Sequence, residues 1–303
     1  MISIIIPAYN RLASLKQCIN SIVSQYYEGL EIIVIDDCSS DGTGAWLKEQ
    51  YSNHSFIRIV LNAKNKGVNY SRNRGIELAS KPYILFIDSD DSMVAGSLQY
   101  VKRAIEKNPT TTHFLFLVSD RITEFNSMTK SRRVWYSDWV SGRVNGDFTH
   151  VISSKIMKQY LFFEQFRMYE HLNWLRVKKT TSPQQMIPIV VADRERNRAD
   201  CLTNTMKLRD VNVIKSKFEA EKIYYSMYYA DLREHNPRSL SNQLLEAIAL
   251  GTACNQKEES RLLVQYARKF HVRFLSGIIL QLPPSFIKYG IIKYSAYKSR
   301  KVN

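Results

Sequence analysis

The chain lacks several features that would place it in common classes of protein. Its four cysteines, Cys18, Cys38, Cys201 and Cys254, form no Cys-x-x-Cys pair and have no histidine at metal-ligand spacing. This argues against structural zinc and against a disulfide framework, and it indicates a reducing compartment. No apolar run approaches the roughly 20 residues of a membrane span, and the first residues do not have the composition of a signal peptide. We therefore expect a cytoplasmic protein, with peripheral contact on the inner face of the cell membrane left open.

Glycine-rich phosphate loops are also missing. Residues 31–43 contain neither GxGxxG nor GxxxxGK[ST], which argues against a dinucleotide-binding fold and a P-loop. Positive charge, by contrast, is abundant: 43 Lys and Arg against 28 Asp and Glu give a formal net charge of +15. This balance predicts an anionic partner. Nucleotide phosphates, nucleic acid and an anionic membrane surface all qualify, and the charge alone does not choose among them.

The first 120 residues alternate strand and helix patterns with short connections. Strands are predicted at 2–6, 31–35, 56–61, 83–87 and 113–118, and helices at 13–25, 42–51, 70–79 and 95–107. The pattern loosens over 120–147, with short helices at 155–160 and 167–178 and a strand at 187–192. Beyond a boundary near 210 the chain turns helical, at 216–233, 240–252 and 257–274. The sequence thus predicts an α/β fold with a doubly wound, mostly parallel sheet, followed by a helical extension.

Three carboxylates follow the apolar run 83–87 in the sequence Phe86-Ile87-Asp88-Ser89-Asp90-Asp91. They fall at the carboxyl end of a predicted buried strand, where open α/β sheets bind ligands. Carboxylates this close repel one another unless a cation lies among them, and a hard divalent cation holding a phosphate is the usual solution. The alternative is a solvated loop whose aspartates cap the next helix.

Two other predicted strand ends carry polar groups. Pro7 is expected to stop the first strand and to leave Tyr9 and Asn10 at its edge, where an aromatic ring can stack on a base. After the third strand, Gly67 permits a tight approach, and Arg72 on the following helix suits a pyrophosphate or a base carbonyl.

The second predicted strand ends in two acids. Asp36 and Asp37 can accept hydrogen bonds from a base N–H or from ribose hydroxyls. For Asp41 and Thr43, a few residues later, helix capping is the favoured interpretation.

Taken in order, these motifs resemble those of the family 2 glycosyltransferases of the GT-A fold, which use nucleotide-sugar donors. That family shows P-x-Y-N, V-[IV]-D-D-x-S-x-D-x-T, N-x-G-x-x-x-x-R-N and D-x-D-D. The chain carries them at 7–10, 34–43, 65–73 and 88–91, in that order and at similar spacing. The resemblance implies a catalytic GT-A domain over 1–210, with a nucleotide-binding half (1–119) and an acceptor-binding half (120–210), before a basic helical region over 211–303.

The resemblance also implies roles for individual residues. Tyr9 and Asp37 would bracket the nucleobase, Arg72 would help to hold the nucleotide, and Asp88 and Asp90 would serve the ribose and the metal–diphosphate. The implied nucleotide-sugar site comprises Pro7, Tyr9, Asn10, Asp37, Arg72, Asp88, Ser89, Arg196 and Arg198, with Mn²⁺ or Mg²⁺ on Asp90 and Asp88. Arg196 and Arg198 belong to a basic run that would close over the diphosphate, and the alternative for that run is a solvated loop.

The family's catalytic base comes from an acidic pair, usually Glu-Asp, in a later helix. Here Glu170 is followed by His171 in the place of the aspartate. Glu170 could deprotonate the acceptor, or His171 could do so with Glu170 orienting its ring. We prefer Glu170, and the alternative is that both lie on a solvated helix face.

The predicted function is transfer of a sugar from a nucleotide-diphosphate sugar, UDP-linked, to a glycan or lipid-linked hydroxyl. We expect metal dependence, inversion at the anomeric carbon and a place in cell-surface polysaccharide synthesis. The alternatives are a sugar-phosphate nucleotidyltransferase, an inactive glycosyltransferase-like subunit and a nucleic-acid-binding protein, although no nucleic-acid module is visible. Residues 260–303 hold nine basic residues, no acid and many apolar ones, which predicts contact with an anionic membrane surface. A helix packed on the catalytic domain is the alternative for that segment.

Overall fold

A computed structural model of the protein describes residues 1–119, 130–166, 168–194, 210–267 and 269–302. The chain divides into two compact units. The first comprises Met1–Tyr136 and Val144–Arg196, and the second Ser137–Arg143 and Asn197–Asn303. The catalytic and helical domains expected from the sequence, with their boundary near residue 210, stay a prediction, and the C-terminal unit also includes residues 137–143.

One sheet forms the centre of the first unit. Its strands in the described residues are β1 (Ile2–Ala8), β2 (Leu30–Asp36), β3 (Ile57–Leu61), β4 (Tyr83–Phe86), β5 (Ser92–Met93), β6 (His113–Val118), β7 (Arg132–Val134), β8 (Thr149–Ser153) and β9 (Gln184–Asp193). They follow the order β3-β2-β1-β4-β8-β6-β9-β5, with β7 paired to β9. β1 to β4, β6 and β9 share one direction, because β8 is antiparallel to both β4 and β6. The sheet is therefore mixed and mostly parallel.

Helices cover both faces of this sheet. They are α1 (Leu12–Val23), α2 (Thr43–Tyr51), α3 (Val68–Leu78), α4 (Ser97–Lys107), α6 (Ser154–Met157) and α7 (His171–Thr180), whereas the short helix α5 (Tyr136–Val140) lies almost wholly in the second unit. Side chains alternate along a strand, so neighbouring residues of β1 serve different cores. Ile4 belongs to one core with Leu15 of α1, whereas Ile5 belongs to the other with Ile76 of α3. The result is a three-layer α/β/α arrangement.

Pro7 does not stop β1, so that expectation was wrong. The strand continues to Ala8, with Pro7 paired in register with Ile35 of β2. The carbonyl oxygen of Ala8 accepts from the N–H of Asp37, on the side of β1 that faces β2. The carbonyl oxygen of Ile5 accepts from the N–H of Ile87, on the side that faces β4. Polar groups alternate sides along a strand, so Pro7 directs its nitrogen to the β4 side. The pairing with β4 has already ended at Ile5, and the missing N–H therefore costs no ladder hydrogen bond.

The sequence did not predict β8, which lies between β4 and β6. Its five residues are Thr-His-Val-Ile-Ser, of which only two are strongly apolar. The loosely patterned region around it also contains β7 and α5. Short polar strands become recognisable only through the partners that cover them.

The second unit is helical. Its longer described helices are α8 (Val211–His235), α9 (Pro237–Ala253), α10 (Lys257–Val264), α11 (Phe270–Gln281) and α12 (Pro284–Val302). Asp210 caps α8 by accepting from the N–H of Asn212 at 2.8 Å, and Asn236 caps α9 ahead of Pro237. Phe218 and Tyr225 on α8 are fully buried, as the predicted 3.6-residue period requires.

The predicted single helix over 257–274 was wrong, because α10 ends at Val264 and α11 begins at Phe270. The Nε of Arg273 donates to the carbonyl oxygen of Ala267 at 2.6 Å. A continuous helix would use that carbonyl for the N–H four residues later. The arginine therefore satisfies a backbone group at the break.

Candidate active site

The candidate site lies where the strand order changes direction. β1 is flanked by β2 on one side and by β4 on the other, so the loops that follow β1 and β4 border a crevice at the carboxyl edge of the sheet. Tyr9 follows β1, and about half of its surface is exposed. Asn10 has a left-handed backbone (φ 51°) and is tied to the β2 loop, because its N–H donates to Ser39 and its side chain accepts from the N–H of Ser40, both at 2.8 Å. The two loops are thereby held together.

The aspartates that follow β4 form a tight turn. The N–H of Asp91 donates to the carbonyl oxygen of Asp88 at 3.0 Å, and Ser89 between them is buried. The thiol of Cys18 on α1 approaches that same carbonyl at 3.7 Å. Burial raises the pKa of the Cys18 thiol, and the carboxylates of Asp91, Asp88 and Asp90 raise it further. Negative charge is therefore concentrated at this turn.

Arg72 of α3 connects two of the predicted site residues. One terminal nitrogen lies 2.9 Å from a carboxylate oxygen of Asp88, and the other lies 3.3 Å from a carboxylate oxygen of Glu170. The Arg72 side chain is only 14% exposed. Burial lowers the pKa of its guanidinium, but the carboxylates of Asp88 and Glu170 raise it by more. Arg72 is thus a fixed cation between the aspartate turn and the predicted base.

Two buried asparagines on α3 position the loop that leads to Glu170. Asn69 donates to the carbonyls of Phe163 (3.0 Å) and Phe166 (3.1 Å). Asn73, one turn later, donates to the carbonyl of Phe162 at 2.9 Å and accepts from the N–H of the same residue at 2.8 Å. Because the i, i+4 spacing puts both amides on one face of the helix, they hold the loop in register with Arg72.

Glu170 and His171 stand at the start of α7 with different surroundings. Glu170 is 23% exposed and paired with Arg72, whereas His171 is exposed. Met168, two residues before Glu170, has a left-handed backbone (φ 73°). Such strain in a residue other than glycine is often found at functional sites.

The acids that end β2 point inward. Asp37 is buried, and its carboxylate accepts from the side-chain amide of Asn62 at 2.7 Å and from the N–H groups of Lys66 (3.0 Å) and Gly67 (2.6 Å). Asp36 is buried too and bonds the N–H of Ser39 at 3.2 Å. These carboxylates shape the loops after β2 and β3, and contact of Asp37 with a base stays a prediction.

Asp41 acts on two helices at once. It accepts from the N–H of Thr43 in α2 and from the N–H of Leu12 in α1, both at 3.0 Å. These bonds agree with the capping role expected for Asp41, whereas Thr43 is the first residue of α2 and supplies a donor rather than a cap.

The sequence missed Arg194, which lies directly after β9. Its guanidinium is 3.7 Å from Asp91 of the aspartate turn and 3.1 Å from Asp147. The signal was present, since Arg194 begins the basic run from which Arg196 and Arg198 were selected. Arg196 and Arg198 themselves lie outside the described residues.

A buried histidine pair near α7 was also missed. His113 of β6 lies 2.8 Å from the hydroxyl of Thr181 and 2.9 Å from His150 of β8, and His150 stacks on Trp174 of α7 at 4.2 Å. Burial lowers the pKa of both imidazoles, and the nearby Lys178 lowers both further. The only sequence signal was a polar residue at the start of an apolar strand.

The described residues contain no preformed group of three or more His, Cys, Asp or Glu side chains arranged to hold a metal ion. A profile of the family described as glycosyl transferase family 2 matches residues 3–177, more than half of the chain.

The chain belongs to glycosyl transferase family 2. Among the curated relatives that it matches is a Campylobacter jejuni protein named GalNAc(5)-diNAcBac-PP-undecaprenol beta-1,3-glucosyltransferase, 28% identical over 187 residues that cover 60% of each chain. Another is chondroitin synthase of Escherichia coli, 38% identical over 99 residues, which are 33% of this chain and 14% of that protein. The chain thus spans less than two thirds of the length of either relative.

Solved structures share the fold. A crystal structure of Staphylococcus aureus TarS in complex with UDP-GlcNAc has a TM-score of 0.61 at 15% identity and covers 92% of this chain and 89% of that one. A mannosyltransferase of Pyrobaculum calidifontis in complex with GDP-Man and Mn²⁺ has a TM-score of 0.55 at 13% identity, with coverages of 97% and 87%. At these identities the likeness shows the fold alone.

These findings confirm the predicted family, the glycosyltransferase class and the α/β fold with a mostly parallel sheet and a helical C-terminal region. The individual roles of the site residues stay predictions. Of those residues, the structure brings Arg72, Asp88 and Glu170 into direct contact.

Proposed function

We propose that this family 2 chain transfers a sugar from a UDP-linked donor to a hydroxyl of a glycan or a lipid-linked acceptor. The reaction depends on Mn²⁺ or Mg²⁺, inverts the anomeric carbon and serves the synthesis of a cell-surface polysaccharide. The observation that carries the proposal is the contact network Asp88–Arg72–Glu170. In this network the guanidinium of Arg72 contacts both the aspartate turn and the candidate base Glu170. The three residues lie beside the crevice where open α/β sheets bind ligands.

The donor would occupy the crevice between the β1 and β4 loops. The exposed ring of Tyr9 offers a stacking surface for a base. The loop anchored by Asp37 lies at the same edge of the sheet and ends at Gly67, where α3 begins. Fold neighbours solved with UDP, with UDP-GlcNAc and with GDP-Man support a nucleotide sugar as the ligand class.

The proposed place for a divalent cation is the aspartate turn, which offers the right kind of ligand although its carboxylates are not arranged as a metal-binding group. Carboxylate oxygens are the ligands that Mg²⁺ prefers, and Mn²⁺ accepts them too. Burial is the main cause of the raised pKa of the Cys18 thiol, and the carboxylates of Asp91, Asp88 and Asp90 lie close enough to raise it further. Asp90 and Asp88 would hold the ion, which when bound would neutralise the charge of the departing diphosphate. A fold neighbour solved with Mn²⁺ supports this assignment.

Glu170 is the proposed base. Its carboxylate takes the proton of the acceptor hydroxyl while that oxygen forms a bond to the anomeric carbon. The bond between that carbon and the diphosphate oxygen breaks, and the nucleoside diphosphate leaves with the electron pair. Attack from the face opposite the leaving group inverts the configuration. Arg72 orients Glu170, because the two side chains are in contact at 3.3 Å.

A polysaccharide or lipid-linked acceptor is supported by relatives rather than by a pocket. The Campylobacter jejuni relative is named for a glycan on an undecaprenol diphosphate, and the Escherichia coli relative is named chondroitin synthase. Both names describe growing glycans. We extend that class of acceptor to this chain as part of the proposal.

A thermal-shift screen of nucleoside diphosphates and nucleotide sugars, each with and without Mn²⁺, tests the proposal. A ligand that binds only the folded chain raises the melting temperature by mass action, so base, sugar and metal preferences are read together. We expect the largest shift with a UDP-sugar in Mn²⁺. No shift with any nucleotide in either condition would refute the proposal.

A further inference from the structure

Helix α11 presents an apolar face to solvent. Val272 and Ser276 are buried, whereas Phe274, Leu275 and Ile278 are 41–60% exposed. These three apolar residues share an i, i+3, i+4, i+7 stripe whose first position is the exposed His271. The helix therefore packs through one side and leaves large apolar side chains on another.

Helix α12 also exposes large side chains. Phe286 and Tyr289 are each more than 60% exposed, and the ammonium of Lys293 lies 5.5 Å from the ring of Tyr289. Phe286, Tyr289 and Lys293 are again spaced i, i+3, i+7. We call the exposed side chains Phe274, Leu275, Ile278, Phe286 and Tyr289 the apolar face of the second unit.

α11 and α12 form a bent pair rather than a membrane-spanning helix. No single helix in the described part of the chain has the length and composition of a membrane span. His271–Gln281 and Pro284–Lys293 reach that length and composition only when they are taken together, and the pair is bent by 117° at the break between them. Each segment would be roughly 15 Å long, about half of a hydrocarbon core. A bent pair of this size suits the plane of a membrane interface better than a crossing.

The segment that carries the apolar face has charge of one sign. Residues 260–303 contain nine Lys and Arg and no Asp or Glu. A second copy docked by a two-fold axis through this face would bring two such positive segments together, which repel. A nucleic acid would use the positive charges but would leave the aliphatic Leu275 and Ile278 without a partner. An anionic lipid surface satisfies both features at once.

We propose that α11 and α12 form an interfacial anchor that inserts its apolar face into the surface of an anionic phospholipid bilayer. The helices lie in the membrane plane, the aromatic and aliphatic side chains enter the headgroup region, and the basic side chains contact lipid phosphates. This inference goes beyond the proposed transfer reaction and does not rest on it.

Co-sedimentation of the full chain with lipid vesicles tests the anchor. One set of vesicles is phosphatidylcholine alone, and the other contains about 30% phosphatidylglycerol to supply anionic charge. We expect binding to the anionic vesicles that weakens at high salt, because the attraction is partly electrostatic. Replacing both Phe274→Ser and Ile278→Ser should reduce the partition coefficient at least about tenfold, because two inserted apolar side chains are lost. Lys288→Gln with Lys293→Gln should reduce it by about fivefold for each charge removed.

A matched control is Leu262→Ser on α10, which removes a side chain that is 64% exposed but lies outside the apolar face. It should change the partition coefficient less than about twofold. Circular dichroism and the nucleotide-induced thermal shift, unchanged in all variants, show that folding and donor binding are intact. Absence of binding to anionic vesicles, equal binding to both vesicle types, or full binding by the Phe274→Ser, Ile278→Ser variant would overturn the anchor. So would self-association of the wild type that this variant abolishes, because the face would then be an interface between two copies.

Discussion

Arg72 links the two halves of the proposed chemistry at the level of single side chains. It contacts Asp88, a proposed metal ligand, and Glu170, the proposed base, and it is mostly buried. A lysine could not serve both partners equally, because a planar guanidinium presents its donors in a fixed fork.

Arg72→Met should therefore lower the free energy of unfolding by about 2 kcal/mol. Removal of one partner from a buried pair costs more than this, but Asp88 is half-exposed and is screened by water. Chemical denaturation measures the change. Arg103→Met, at an exposed position on α4, is the control and should stay within about 0.5 kcal/mol of the wild type. Equal effects of the two substitutions would show that the Arg72 bridge contributes nothing.

The choice of base can be decided by two single substitutions. Glu170→Gln should reduce kcat by about 10²–10⁴-fold, because the amide cannot accept the acceptor's proton. His171→Gln, at an exposed position, should reduce kcat less than about threefold. Steady-state kinetics on both variants, with melting temperatures as the check on folding, makes the comparison. The reverse ranking would assign the base to His171.

For single residues, the sequence predicted which residues belong to the site better than it predicted what their side chains contact. Arg72, Asp88 and Glu170 were all selected from motifs, and the structure brings them together. Asp37 was selected too, yet its carboxylate faces the backbone N–H groups of Lys66 and Gly67. The direction of a side chain depends on loop geometry, which a one-dimensional pattern does not contain.

Helix α3 can carry Arg72 at this position because it packs very closely on β1. A Cβ added to Gly75 would lie 2.4 Å from the Cγ2 of Ile5 in the buried core. Gly75→Ala should therefore destabilise the protein by about 2 kcal/mol through overpacking, as measured by chemical denaturation.

Gly277 on α11 is the matched control for Gly75. It also lies inside a helix, but a Cβ there would meet nothing within 4 Å. Gly277→Ala should be neutral or stabilising by up to about 1 kcal/mol, because alanine is the better helix former. A destabilisation by Gly277→Ala as large as that by Gly75→Ala would contradict the packing explanation.

Strands β6 and β8 are joined by the imidazoles of His113 and His150. The hydroxyl of Thr181 donates to the carbonyl of Val177, so it accepts from the Nδ1–H of His113. The Nε2 of a neutral His113 can then accept from the Nδ1–H of His150. The Nε2 of His113 can accept only while that ring is neutral, and burial, with His113, Lys178 and Arg194 nearby, lowers the pKa of His150 as well.

Acid should weaken this network. Because the folded pKa of each histidine lies below its unfolded value, the unfolded state binds more protons as pH falls below about 6.5. The free energy of unfolding should then decrease by up to about 1.4 kcal/mol per pH unit for each histidine, down to its folded pKa. His113→Gln should reduce this slope in denaturation series between pH 7 and about 5. An unaltered slope in His113→Gln would contradict the account.

At the level of elements, strands with continuous apolar runs were predicted nearly to the residue, as β6 at His113–Val118 shows. β8 was missed because its burial comes from β4 and β6 on either side rather than from its own composition. The break between α10 and α11 was missed because it depends on a contact of Arg273 with the backbone of Ala267. Local propensity determines elements only where tertiary contacts do not override it.

At the level of the whole molecule, the order of motifs along residues 7–91 was enough to predict the family and the fold. Four motifs that each follow a predicted strand all fall at the same edge of the sheet. Their combination is specific to the family even though each motif alone is common. The second unit carries no such motif, so its sequence indicated helices and charge but no site.

The central claim is that the crevice beside β1 and β4 binds a nucleoside diphosphate through a divalent ion on Asp90 and Asp88. Titration calorimetry of UDP into the full chain with Mn²⁺ tests it most directly. We predict saturable binding at one site per chain, weakened at least about tenfold by Asp90→Asn and to a similar degree by a metal chelator. Absence of binding by any nucleoside diphosphate, or the same affinity in the wild type and in Asp90→Asn, would contradict the claim.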